Sequence, residues 1–213
     1  MTKMPKENVQ LKKNIKMALN QKIKKIALGL GLVLLAIVLG SGIGIYNIAS
    51  GKSSSQRVIG NWQTVDKDKD LNTADLLTIA QISVYGTYAL TKKEVIYLST
   101  NTDSEGNAID PKSDYVISGK NLDAKYWSIT AYDQDGFLIK NPINTYSYNL
   151  ETVKYEADST SYKINLAASE KKENWLPINN VKKATLVIRL YLPSDALRNN
   201  LTVETLPTIQ KVK

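Results

Sequence analysis

The chain has 213 residues, enough for one domain and an appendage, and a formal net charge of +8. It contains neither histidine nor cysteine, which excludes Ser–His, Cys–His and zinc-type chemistry by this chain's own side chains. Residues 1–25 hold eight lysines against Glu7, whereas residues 50–213 set 20 Lys and Arg against 19 Asp and Glu; the basicity is a property of a short tail, so nucleic acid is not an expected partner.

After that tail comes IALGLGLVLLAIVLGSGIGIYNIA, Ile26 to Ala49, without a charged residue. As a helix it would extend about 36 Å, enough to cross a hydrocarbon core of about 30 Å with some tilt. Lysines before the run and a near-neutral flank after it predict a cytoplasmic N-terminus, a single pass through the inner (plasma) membrane, and a periplasmic or extracellular remainder. A cleaved signal peptide is the competing reading. Its apolar region is normally about 7–15 residues and ends in a small-x-small site; here the run is longer, and a cut after Ala49 would put Asn47 at −3, so an uncleaved anchor is expected. Gly40 and Gly44 have the spacing of a helix-dimer face, but with Gly29, Gly31 and Gly42 in the same run such spacing arises by chance, and a dimer is not the expectation.

The expected organisation is a basic cytoplasmic tail at 1–25, a transmembrane helix at 26–49, a flexible linker at 50–59 and an exported domain at 60–213. Within that domain, NTADLLTIAQISVYGTYAL (72–90) predicts a helix, capped by Asn72 or Thr73, with Leu76, Ala80, Val84 and Tyr88 on one stripe. From Glu94 the period becomes two. Strands are predicted at 94–100, 114–119, 126–132, 161–167 and 184–192, with DQDG (133–136) turning the chain into a return strand FLIK (137–140). Trp127, Ile129, Leu186, Ile188, Leu190 and Leu192 are predicted to face inward, and Tyr126, Tyr132, Arg189 and Tyr191 to face the other way. The fold class expected is mainly β (α+β): an antiparallel β-sandwich of jelly-roll type with one early helix, preceded by one transmembrane helix.

The run YWSITAYDQDGFLIKNPINTYSYN (126–149), then NWLP (174–177), then LVIRLYLP (186–193), resembles the family named domain of unknown function 1214. The likeness covers about residues 60 to 208 and rests on four short motifs in register. It implies a β-sandwich, mostly bacterial membership and no established activity. It carries over to Trp127, Ser128, Thr130, Asn141, Tyr146, Ser147, Asn174, Trp175, Pro177, Arg189 and Tyr191. One departure is Thr145, where the family often has a basic residue before its Tyr-Ser pair.

Other chemistry is thinly represented. Ser169 to Lys172 matches SxxK, but in a charged loop where a lysine keeps its proton. Asp103, Glu105, Asp110, Asp114, Asp133 and Asp135 are the candidates for paired-carboxylate glycan chemistry; all sit in or beside turns, where Asp bonds the backbone. Asn101, Asp103, Glu105 and Gly106 resemble half of a calcium loop whose closing position is Lys112, and Asp66 to Asp70 lacks the glycine and the closing acid. No catalytic residue, metal site or cofactor is expected. The candidate ligand contacts are Arg189, Tyr191, Tyr132, Asn141, Tyr146 and Trp175, each weighed against plain packing or, for Arg189, pairing with a surface acid. The expected function is a non-enzymatic binding or assembly module whose partners are the lipid bilayer and an envelope glycan or protein. The alternatives are a carboxylate-based glycan-active enzyme and a purely structural subunit of a membrane complex.

Overall fold

A computed structural model describes residues 6–49, 56–65, 80 and 90–212. It divides into two units, residues 1–52 and 53–213. The first contains one helix, α1 (Lys6–Ala49), whose 44 residues extend about 66 Å. The helix therefore starts well inside the basic tail, before the apolar run. Asn14–Ile48 is long and apolar enough to cross a membrane, and Leu28, Leu32, Leu35 and Ile43 along it are exposed. The same properties suit a signal sequence.

The second unit is mostly β. Among the described residues its strands are β1 (Gln56–Ile59), β2 (Trp62–Val65), β3 (Val95–Thr100), β4 (Tyr115–Lys120), β5 (Ala124–Tyr132), β6 (Ser147–Asn149), β7 (Ser161–Ala167), β8 (Trp175–Pro177), β9 (Thr185–Pro193) and β10 (Thr208–Lys211). They form two open sheets, one ordered β1-β2-β3-β9-β5-β6 and the other β10-β4-β7-β8. All pairs are antiparallel except β7–β8. A short helix, α2 (Asp195–Asn199), follows β9, with Ser194 accepting a hydrogen bond from the Leu197 amide as its N-cap.

One core lies under both sheets. From the six-stranded sheet come Leu98, Trp127, Ile129, Leu186, Ile188 and Leu190; from the four-stranded sheet come Tyr115, Ile117, Tyr162, Ile164, Leu166 and Ile209. Strand alternation explains this directly, because residues two apart share a face. Trp127 stacks on Tyr162 with ring centroids 4.9 Å apart, and its indole N–H donates to Asn121 Oδ1 at 2.7 Å.

The strands expected at 94–100, 114–119, 126–132, 161–167 and 184–192 are present within a residue or two at each end. Five expectations need correction or fall outside the described residues. The end of the expected linker is β1, because Ile59 is buried and Gln56–Ile59 completes a hairpin with β2. FLIK is not a strand: only a single bridge joins Tyr132 to Leu138, and the strand that pairs with β5 on the side away from β9 is β6, reached after a longer excursion. Leu192 points outward, 51% exposed, because its backbone is left-handed at φ 47, which turns the side chain away and leaves Pro193 buried. The helix expected at 72–90 lies outside the described residues apart from Ala80, which is helical, and Leu90, and Asp66–Asp70 lies wholly outside them.

Two turns share one design. Asp103 and Asp133 each accept, through Oδ1, the amides two and four residues on: Glu105 and Asn107 in the first, Asp135 and Phe137 in the second. In each, the glycine three residues on has a positive φ, 88 for Gly106 and 81 for Gly136, a conformation that costs a side-chain-bearing residue energy. These carboxylates hold their own loops, and Asp110 and Asp158 do the same for theirs. At Asp158, the Ser161 hydroxyl and amide and the Thr160 amide hold the carboxyl well below its usual range.

Candidate functional site

The strand register places Arg189 at the centre of the outer face of the six-stranded sheet. Opposite it lie Tyr97 on β3 and Ser128 on β5, and Ser128 in turn faces Asn149 on β6. One step along the strands, Tyr191 is flanked by Val95 and Tyr126, and the Tyr126 and Tyr191 rings sit 6.0 Å apart. The Arg189 guanidinium leans the other way. It donates to Thr130 Oγ1 at 3.2 Å and to Tyr132 Oη at 2.6 Å, and its carbon lies 5.9 Å from the Tyr97 ring centre and 5.5 Å from that of Tyr132. Both distances are within the range of a cation–π attraction.

Among the described residues no carboxylate pairs with Arg189. Arg189 is half-buried, and among the described residues its guanidinium is met by two hydroxyls and two ring faces. A planar fork with donors to spare, held against aromatic rings, is suited to grip an anionic oxygen pair.

The sequence-predicted residues divide into two sets. Arg189, Tyr132 and Tyr191 share this face. Asn141, Tyr146 and Trp175 do not. The Asn141 amide donates to the Ile139 and Thr145 carbonyls, both at 2.9 Å, and accepts from the Thr145 amide, so it braces the β5–β6 excursion. Tyr146 donates to Asn144 in the same excursion. Trp175 is buried in β8 and donates to the Ala167 carbonyl at 2.9 Å. Sequence reasoning missed Tyr97 and Thr130 as parts of the Arg189 cluster. Alternation puts Tyr97 on the opposite face from Leu98, but only the β3–β9 register places it beside Arg189.

A groove of about 350 Å³ lies on the exposed side of the four-stranded sheet, lined by Lys154, Glu156, Lys163, Asn165, Glu173 and Asn174 among others. Its charges are spent internally: Lys154 pairs with Glu173 and Lys163 with Glu156. Asn174, at φ 42, forms part of the wall by bonding the Lys154 amide and the Lys154 and Lys163 carbonyls. This arrangement leaves no uncompensated charge to attract a ligand.

Residues 94–195 match the family described as protein of unknown function, DUF1214. This stretch is a DUF1214 domain. The match is shorter than the 60–208 expected from the four motifs, and it runs from the start of β3 into α2. Within it Asn141, Asn174 and Trp175 tie loops to strands, whereas Arg189 has no carboxylate partner among the described residues. Among solved structures the chain is similar to the VPA0106 protein of Vibrio parahaemolyticus, at 30% identity and a TM-score of 0.55, over 67% of this chain and 37% of that one. It also aligns with a putative uncharacterised protein from Burkholderia cenocepacia at 15% identity and a TM-score of 0.40, over 56% of this chain and 29% of that one. No curated protein matches.

Proposed function

We propose that this protein is a single-pass envelope protein, anchored by Ile26–Ala49 in the inner (plasma) membrane. The lysine-rich tail is cytoplasmic, and the DUF1214 domain is a periplasmic or extracellular sandwich of jelly-roll type. The reading is supported by a charge-free run long enough to span, eight lysines before it, and large apolar side chains exposed from Ile26 to Tyr46. Fusing alkaline phosphatase to the C-terminus should give an active enzyme, since that enzyme folds only outside the cytoplasm. An inactive fusion beside an active cytoplasmic reporter at the same position would reverse the topology.

The exported domain is a non-enzymatic binding module, and Arg189 is where it holds an acidic group of an envelope glycan or protein. The observation that carries this is a half-buried arginine whose guanidinium has hydroxyl and ring partners and no described carboxylate. The glycan-hydrolysis alternative is not favoured, because Asp103, Asp110 and Asp133 are occupied by the amides of their own turns and Asp114 pairs with Lys171 at 2.5 Å. The test is co-sedimentation of the detergent-solubilised full chain with isolated peptidoglycan, a carboxylate-bearing glycan. Arg189→Ala should weaken binding by about 10- to 100-fold, the loss expected for charge-assisted hydrogen bonds of about 1.5–3 kcal/mol. Arg189→Lys should recover only part, because an ammonium cannot present two parallel donors. Both variants should melt within a few degrees of the parent, as the residue lies outside the core. Undiminished binding by the folded Arg189→Ala protein would remove Arg189 from the site.

A further inference from the structure

The excursion between β5 and β6 presents apolar side chains to water. Phe137, the only phenylalanine in the chain, is 70% exposed, and Leu138 and Ile143 are 45% and 44% exposed. The segment is not loose. Ile139 is buried in the core, Asn141 braces the far side, and the Asp133 turn fixes the Phe137 backbone from both its amide and its carbonyl. The turn does not itself require a phenylalanine there. In the matching turn at Asp103 the same position is Asn107, which accepts and donates the same backbone bonds. An aromatic ring held out on a rigid loop, where the same geometry elsewhere carries an amide, has its use outside the domain.

Three lysines flank these side chains. Lys140 is exposed on the same excursion, and Lys182 and Lys183 are exposed on a neighbouring loop that touches the turn where the Lys182 amide donates to Gln134 Oε1 at 3.1 Å. Asp133 and Asp135 in the turn set two negative charges against these three lysines, leaving a small positive excess. Apolar tips ringed by lysines complement an anionic lipid surface, with the ring and branched chains entering the headgroup–acyl boundary and the ammonium groups meeting phosphates. Only residues 50–55 separate α1 from β1, and they reach at most about 25 Å, which keeps the domain within reach of the bilayer although β1, parallel to β5, enters the sheet from the α2 end.

We propose that Phe137, Leu138 and Ile143, with Lys140, Lys182 and Lys183, form a lipid-docking tip that settles the DUF1214 domain on the bilayer holding α1. This rests on the anchor reading above. Because the chain lacks cysteine, single labels are clean to place. Nitrobenzoxadiazole is attached to the full chain at Phe137→Cys, at Leu35→Cys within the apolar helix, or at Ala196→Cys in α2 at the opposite end of the sheet, and each protein is reconstituted into phosphatidylglycerol vesicles containing spin-labelled lipid. The label at 137 should lose about half or more of its emission, as a probe at the acyl boundary does, while the label at 196 stays unquenched. Lys140→Glu, Lys182→Glu and Lys183→Glu together should restore emission at 137. If 35 is quenched and 137 is not, the tip is overturned and the anchor stands; protection of 137 from an aqueous quencher in that case points to a protein partner. If 35 is not quenched, the anchor reading fails and the tip falls with it. Equal quenching at 137 and 196 also overturns the tip.

Discussion

Replacing Trp127 by alanine should lower the unfolding free energy by about 3–5 kcal/mol, the range for truncating a fully buried aromatic residue. Trp127 is completely buried between the sheets, stacked on Tyr162 and bonded to Asn121. Its removal leaves a cavity that β-sheets on both sides cannot close, and leaves Asn121 Oδ1 without its donor. With total stability of a domain commonly about 5–15 kcal/mol, this change should lower the melting temperature by about 10 °C or more. Trp62 and Trp175 remain as fluorescence reporters for urea and thermal unfolding of the full chain in detergent. Trp127→Phe, which keeps an aromatic ring and loses only the indole N–H and some volume, should cost much less. A Trp127→Ala loss under about 1 kcal/mol would mean the residue does not occupy the core.

Gly119→Ala should destabilise the domain by about 1–3 kcal/mol, the range for overpacking a filled interior. Gly119 pairs with Tyr162 across β4 and β7, and the tyrosine ring crosses the space a side chain would need. A Cβ there would lie 2.6 Å from Tyr162 Oη, 2.7 Å from its Cζ and 3.0 Å from Pro207 Cβ. The ring has no easy escape, being stacked on Trp127 and met edge-on by Tyr155. Tyr162 Oη has no hydrogen-bond partner among the described residues, and burial drives its pKa well above the usual phenol value, with Tyr155 adding to the shift; the hydroxyl stays neutral and unsatisfied. Tyr162→Phe alone should therefore raise stability by about 1 kcal/mol, since a buried unpaired hydroxyl carries its desolvation cost uncompensated. In Gly119→Ala with Tyr162→Phe, the damage should be partly relieved, because Oη is gone while Cζ still crowds. A double-mutant cycle measured by urea denaturation reads the coupling. Strict additivity would show that the two groups do not touch.

Sequence patterning carried most of the strands of the β-rich unit because each half-buried strand writes its two faces at alternate positions. LVIRLYLP and YWSITAY could be divided into core and surface before any pairing was known, and Trp127, Ile129, Leu186, Ile188 and Leu190 are all fully buried. Where one backbone angle departs from that rule, as at Leu192, the pattern misleads. Short strands escaped it as well. Gln56–Ile59, Ser147–Asn149 and Trp175–Pro177 are too brief to show a period, and they exist because a neighbouring strand offers an edge.

The Arg189 site was legible in part. That Arg189, Tyr191 and Tyr132 avoid the core follows from alternation, and their motif membership singled them out. That Asn141 and Trp175 brace loops could not be read, since a motif asparagine or tryptophan looks the same whether it bonds a ligand or its own backbone. By itself the sequence determined the absence of His- and Cys-based chemistry, the separation of a basic tail and apolar run from a near-neutral domain, and the facing of its longer strands, because composition and periodicity are local quantities. Only the tertiary structure decided that Tyr97, Thr130 and Tyr132 gather around Arg189, that Phe137 is held out on a braced turn, and that Gly119 makes room for Tyr162. The first and last depend on register between strands distant in the chain, and the second on Ile139 being buried in the core that the two sheets share.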